Sequence, residues 1–371
     1  MNIALAGLIC AILAVASKKL SLPPVPAYIL AGLILGETGF GVLKGDEVSN
    51  SIAEAGVIML LFYIGLNLNP GEISEKKKTI FHSGLYDFVI NFTLIYGISI
   101  LAGFTHVQAF LIASALYISS SAIVLQSLIE NRKLMFRESE VVIWIMVFED
   151  IAIALLIVLN NPESSDLLLF MVKILAFTAL TYWLSNHMPR LLGILFTRDD
   201  EIPVLLAFTA ALLGIAFEEF FRIPAGFTAI MLGLMLSGIK NIREIVLPFK
   251  DVFLVLFFFF FGISVNLSSE GFVDGLILAA AAVAGKVISG MITGRYLFRS
   301  WLSGLEIGLD TVARGEFSIF LIFAFGTGKE VSAVTTAVII TSVLGAFLAK
   351  NSAKIRNMVS EFAERRFSST Q

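Results

Sequence analysis

The chain has 371 residues, 57% of them hydrophobic and 15% charged, with a net charge of -3; soluble domains are roughly half apolar and a quarter charged. This excludes a soluble globular protein, and the acidic balance supplies no basic footprint for nucleic acid. With Cys10 as the single cysteine, an intrachain disulfide, a redox pair and a cysteine-based metal site are all excluded.

Apolar runs separated by short polar loops recur from Met1 to the mid-340s, the pattern of helices crossing a hydrocarbon layer of about 30 Å. They predict an all-α polytopic membrane protein of about thirteen spans. The first six lie near 2–17, 24–36, 51–68, 80–103, 107–128 and 138–159; the other seven lie near 167–186, 202–218, 224–238, 247–265, 272–294, 302–325 and 331–349. Lys18 and Lys19 follow the first apolar run instead of preceding it, so it is a spanning helix and not a signal peptide. The transmembrane domain is 1–349, and 350–371 forms a short polar tail.

Basic residues orient the spans, because Lys and Arg collect in cytoplasmic loops. Loops after odd-numbered spans hold Lys18 and Lys19, the run Lys76, Lys77 and Lys78, then Arg132, Lys133 and Arg137, and so on to Arg295 and Arg299. The opposite loops hold only Lys44, Arg222 and Lys329. This alternation places the N-terminus outside and the C-terminus in the cytoplasm of a cell-membrane protein. Lys173, Lys286 and Arg314 fall inside predicted spans.

The second and ninth spans share a pattern: Pro23, Gly32, Leu33 and Leu35 match Pro224, Gly233, Leu234 and Leu236 at one offset. The third and tenth end alike, in Phe62-Tyr63-Ile64-Gly65 and Phe259-Phe260-Phe261-Gly262. Partners lie seven spans apart, an odd number, so they cross in opposite directions: the inverted-topology repeat of secondary transporters. Spans one to six mirror eight to thirteen, with 167–186 as linker.

In such repeats the ion site lies where paired helices are broken at mid-membrane. The fifth span carries Ser119, Ser120 and Ser121, and the twelfth carries Arg314, Gly315 and Glu316 at the matching depth. Glu149 and Asp150 sit near the middle of the sixth span, and Lys286 at similar depth in the eleventh. Each charge costs at least about 2.5 to 3.5 kcal/mol at a helix centre, so these side chains must face protein, water or each other. Gly290 and Gly294 beyond Lys286 let a neighbouring helix come close. One base cannot neutralise two carboxylates: Glu149 pairs with Lys286, and Asp150 takes a proton or a cation. A deprotonated Asp150, with the Ser120 hydroxyl and carbonyls of the broken helix, suits a hard monovalent ion such as Na+ or K+; protonation releases it. Asp87 is expected near the cytoplasmic end of the fourth span, Lys173 snorkels to the outer interface, and Glu54, Glu306 and Asp310 sit cheaply near helix starts.

At these residues the chain resembles the monovalent cation:proton antiporter 2 family, with its NapA-like sodium/proton and Kef-like potassium/proton members. The likeness runs over essentially the whole chain and rests on Phe148-Glu149-Asp150, Ser119-Ser120-Ser121, Lys286 with its glycines, Phe260-Phe261-Gly262-Ile263-Ser264-Val265 and Arg314-Gly315-Glu316-Phe317. The resemblance implies the sodium/proton antiporter fold, with spans five and twelve crossing as broken pairs. It implies a homodimer with a dimerisation part (1–70 and 202–265) and a mobile ion-carrying core (80–159 and 272–349). It assigns Asp150 as the ion-binding carboxylate, Lys286 as its basic partner and Glu149 as the position before the key acid, where sodium/proton members often have Asp and Kef-like ones Gln. Kef-like members often carry a cytoplasmic nucleotide-binding domain, so a separate regulatory subunit or a further C-terminal domain is an expected partner. No cofactor is expected. The alternatives are a cation channel in the same groove, which needs a filter-like loop, and an intramembrane enzyme, which needs a nucleophile with its base or a metal constellation; neither signal stands in the sequence.

Overall fold

The computed structural model describes residues 3–19, 24–36, 39–44, 47–67, 70–133, 135–160, 167–187, 189–196, 198, 200–221, 223–239, 241–264 and 268–368. Among the described residues the secondary structure is helical throughout. In chain order the helices are α1 (Ile3–Lys19), α2 (Pro24–Leu35), α3 (Glu47–Asn67), α4 (Pro70–Leu101), α5 (His106–Tyr117), α6 (Ser121–Glu130), α7 (Arg137–Asn160) and α8 (Leu167–His187). They continue as α9 (Pro189–Phe196), α10 (Ile202–Phe221), α11 (Ala225–Leu236), α12 (Ile242–Ser264), α13 (Ser269–Phe298), α14 (Trp301–Asp310), α15 (Glu316–Phe325) and α16 (Lys329–Ser368).

Local chemistry sets several of these boundaries. Pro24 opens α2, where a missing N–H costs nothing. Thr105 and Gln108 form a reciprocal capping box at α5. Ser268 and Ser300 each accept a backbone N–H at the starts of α13 and α14. Arg299, in the left-handed region at φ 56°, closes α13 immediately before Ser300, which turns the chain back in two residues.

Among the described residues six helices are long and apolar enough to cross a bilayer by length and composition, within α4, α7, α10, α12, α13 and α16. The helices over the second and ninth expected spans have only 12 residues each, about 18 Å of rise, less than the hydrocarbon thickness. The expected spans 107–128 and 302–325 each divide in two, at 118–120 and 311–315. The short helix α9 lies in what the sequence suggested as a loop, and the chain beyond 349, expected as a polar tail, continues α16 to Ser368.

The chain forms two compact units. One comprises Met1–Ile12, Tyr28–Glu75 and Ala154–Ser264; the other comprises Leu13–Ala27, Lys76–Ile153 and Val265–Gln371. In the first, α3 packs against α10, α11 and α12. Phe257 through Phe261 are all buried. Five successive residues cover more than a full turn, so α12 is enclosed on every side there. Four glycines make the closest approaches, and in a reciprocal pattern. A Cβ on Gly32 would collide with the Phe259 carbonyl and one on Gly262 with the Ile29 carbonyl; a Cβ on Gly65 would collide with the Ile230 carbonyl and one on Gly233 with the Phe62 carbonyl. Each glycine thus faces the carbonyl three residues before its partner glycine.

In the second unit α13 packs on α14 and α16, α5 on α15, and α16 on α5, α6 and α14. Gly290 and Gly308 interlock: a Cβ on Gly290 would strike the Gly308 backbone, and one on Gly308 would come within 2.6 Å of the Lys286 carbonyl. This seats α14 directly against the turn of α13 that carries Lys286.

These contacts predict opposite outcomes at two glycines. Gly262→Val should lower the melting temperature of the detergent-purified protein, at a cost of at least about 1 to 3 kcal/mol for overpacking. Gly97→Ala, on α4 with open space around it, should leave it unchanged or raise it, since alanine favours helix by about 0.5 to 1 kcal/mol.

Candidate functional site

The site is built in the second unit where two helices are interrupted. Helix α5 ends at Tyr117 and α6 begins at Ser121; α14 ends at Asp310 and α15 begins at Glu316. Each interruption frees carbonyls at one helix end and amides at the other, which lipid cannot solvate. The two extended segments satisfy each other in part: Ser120 N donates to the Ala313 carbonyl at 2.7 Å. Ser120 Oγ accepts from Ile123 N at 3.4 Å, capping α6. Gly315 lets the segments touch, because a Cβ there would come within 2.5 Å of Ser120 Oγ.

Arg314 serves the carbonyl ends. Its side chain is fully buried. Nε donates to the Leu116 carbonyl at 2.6 Å, Nη1 to those of Thr311 and Val312, both at 3.1 Å, and Nη2 to that of Ala282 at 3.4 Å. A guanidinium presents five donors and keeps its charge, so one side chain pairs carbonyls from both broken helices. Its cation also lies at the negative ends of the α5 and α14 dipoles.

Beside this crossing lies a buried ion triad. Lys286 Nζ sits 2.5 Å from Glu149 Oε1 and 2.6 Å from Asp87 Oδ2, with the three side chains 0 to 1% exposed. Asp87 is held from its other side too: Oδ1 accepts from Ser289 Oγ at 2.8 Å and Asn91 Nδ2 at 3.0 Å. Glu149 Oε2 accepts from Ser119 N at 3.1 Å, while Ser119 Oγ lies 2.9 Å from Glu149 Oε1 and 3.0 Å from the Thr311 carbonyl. Ser119 therefore joins the acid of α7 to both interruptions. The ammonium also stands 5.3 Å from the centre of the Tyr117 ring, a favourable cation–π distance. The Tyr117 hydroxyl, also buried, has no hydrogen-bond partner among the described residues. Asp150 is half-buried on the next residue of α7. Gly84, one turn before Asp87, is covered by the Phe148 ring, which brings α4 and α7 close enough for their acids to share one base.

The structure brings together Glu149, Lys286, Ser119, Ser120, Arg314 and Gly315 of the expected set. Ser121 and Glu316 open α6 and α15; the Glu316 side chain lies outside the described part. Several expectations need correction. Asp87, expected near the cytoplasmic end of the fourth span, lies inside α4 and is buried against Lys286. Its signal was present: an acid with Asn91 one turn on inside an apolar run. Glu306 and Asp310 are not acids eased by a helix start. Both are buried and face Lys133, which the sequence placed in a loop and which is only 3% exposed. The reason is that the first half-helix of the broken span is only ten residues long, Trp301–Asp310, so Asp310 stands at its end and not near its start. Lys173 donates to the Phe221 carbonyl at 3.2 Å, meeting an unpaired carbonyl at the end of α10. Glu54 is exposed.

The sodium/hydrogen exchanger transmembrane family matches residues 5–350. The K+/H+ antiporter subunit KhtU of Bacillus subtilis is 29% identical over 378 aligned positions, covering 95% of this chain and 93% of that protein. The ammonium/H+ antiporter subunit AmhT of Alkalihalophilus pseudofirmus is 28% identical, again covering 95% and 93%. Among solved structures, the sodium proton antiporter MjNhaP1 of Methanocaldococcus jannaschii superposes with a TM-score of 0.72 over 96% of both chains at 16% identity, a likeness of fold.

The triad predicts a specific non-additivity. Lys286→Met leaves two buried carboxylates without their base and should destabilise the protein by about 3 to 5 kcal/mol. Adding Asp87→Asn should recover part of that loss, because it removes one uncompensated charge. Thermal melts of the wild type, both single variants and the double variant in detergent measure the coupling; simple additivity contradicts the shared ion pair.

Proposed function

The chain belongs to the sodium/hydrogen exchanger family, and on that premise we propose that it is a secondary active antiporter exchanging protons for a monovalent cation, Na+ or K+, at Asp150. The charge balance of the buried site carries the reading. Lys286 and Arg314 offset Asp87 and Glu149, and Asp150 adds a fifth charge of negative sign one residue along α7. That group of five is neutral when it holds one proton or one monovalent cation. Proton and cation therefore compete for the same carboxylate, which is the condition for exchange. Ser120 and the carbonyls of the 118–120 segment provide the hard oxygen ligands that an alkali ion favours.

The reciprocal contacts of Gly32 with Gly262 and of Gly65 with Gly233 support the inverted repeat, since a two-fold relation that carries Gly32 onto Gly233 and Gly65 onto Gly262 turns one contact into the other. Asp87 and Lys286, 199 residues apart, stand on the fourth and eleventh spans, the next equivalent pair. A thirteen-span arrangement with the N-terminus outside and the C-terminus in the cytoplasm fits the distribution of basic loops. The unit holding Asp87, Glu149, Asp150 and Lys286 is the ion-carrying part, and the unit built around α3, α11 and α12 is the dimerising part. Alternating access moves the loaded site from one face of the membrane to the other. A companion regulatory subunit accords with relatives that are named as antiporter subunits.

Reconstituted vesicles test this reading. A K+ or Na+ gradient across wild-type vesicles should drive saturable proton movement, and Asp150→Asn should abolish it. A conductance linear in voltage without proton movement identifies a channel instead. Undiminished exchange in Asp150→Asn removes the carboxylate from the mechanism.

A further inference from the structure

A second set of buried charges lies in the same unit, away from the triad. Lys133, on the turn after α6, reaches Asp310 Oδ1 at 3.0 Å, Glu306 Oε1 at 3.4 Å and the Ala349 carbonyl at 3.1 Å. It also donates to the Ser352 hydroxyl, which in turn donates to Asp310 Oδ1 at 2.7 Å. Arg356, farther along α16, meets Glu306 Oε2 at 2.7 Å, with Glu138 of α7 at 3.9 Å. Lys133, Glu306, Asp310 and Ser352 are each at most 3% exposed. Two bases, Lys133 and Arg356, face the two buried acids Glu306 and Asp310, with Glu138 at the edge of the set.

Stability alone is a weak reason for such a network, since well-packed apolar side chains of similar volume often match or exceed a buried ion pair. Its position is informative. Asp310 is the last residue of α14, and the next carbonyl, that of Thr311, lies 3.0 Å from Ser119 Oγ and 3.1 Å from Arg314 Nη1. Ser119 is the residue that faces Glu149. Lys133 is itself anchored: its N–H donates to the Leu128 carbonyl at 2.8 Å and closes α6. Helix α6 starts at the same crossing, one residue after Ser120. The ammonium thus ties the far end of one half-helix to the inner end of the other, and α16 holds both through Ala349 and Ser352.

We propose that Lys133, Asp310 and Ser352 are positioning residues for cation binding: by fixing the end of α14 they set the Thr311 carbonyl, and through it the Ser119 hydroxyl, at the transport site. This inference rests on the antiport reading. Effects on a positioned ligand appear in the apparent affinity for the ion, whereas a purely structural role lowers the amount of folded transporter and hence the maximal rate.

The test uses vesicles containing the full chain, K+ as the probe and rates normalised to folded protein. Asp310→Asn and Lys133→Met should each raise KM for K+ about tenfold while the maximal rate per folded molecule stays within about twofold. Lys133→Arg, which keeps the cation, should hold KM within about twofold of wild type. Ser352→Ala removes one hydroxyl and should raise KM about threefold; it decides the matter if the charge variants do not fold. Unchanged KM in the folded variants overturns the proposal while wild-type exchange persists. Loss of K+-driven proton movement in the wild type itself instead overturns the antiport reading.

Discussion

A single ammonium group organises the second unit. Lys286 is fully buried, and a lone charge in such a place is prohibitively costly, so acids must be brought to it. Asp87 of α4 and Glu149 of α7 both reach it within 2.6 Å, and that demand fixes three helices relative to one another. The close packing of α4 on α7 at Gly84 and of α14 on α13 at Gly290 and Gly308 are the steric conditions that let the charges meet. Glu149 then extends the same constraint to the crossing, because its second oxygen accepts the Ser119 amide.

The crossing shows how non-helical backbone is tolerated inside a hydrophobic layer. Two half-helices present carbonyls with no helical partner, and one guanidinium collects four carbonyls from both interruptions and from α13. A lysine could not do this, having a single compact centre. The crossing thereby acquires fixed positive charge on its carbonyl side, while the acids of α7 sit near the amide that opens the other half. Around the crossing the two buried bases, Lys286 and Arg314, offset the two buried acids, Asp87 and Glu149.

Much of this was legible in the sequence because membrane burial is unforgiving. Charges within apolar runs stand out, and Glu149, Asp150, Lys286 and Arg314 were singled out on that ground. The serine run and the Arg-Gly-Glu segment marked both interruptions, since hydroxyls and glycine weaken a helix. What escaped was set by the third dimension. Asp87 was judged by its distance along a helix, whereas its partner comes from another helix 199 residues away. Lys133, Glu306 and Asp310 were assigned to loops and helix ends by counting. Only the folding of the turn after α6 onto the end of α14 makes them a buried cluster. The matched glycines were visible in the sequence, but that each one faces the carbonyl three residues before its partner could not be read from spacing.

Competition for one carboxyl is measured most directly by proton release. Adding K+ or Na+ to purified, weakly buffered protein should release protons in a saturable manner, and the apparent affinity should fall as pH is lowered. Asp150→Asn should release none. Saturable cation binding without proton release, or the same release from Asp150→Asn, contradicts the account.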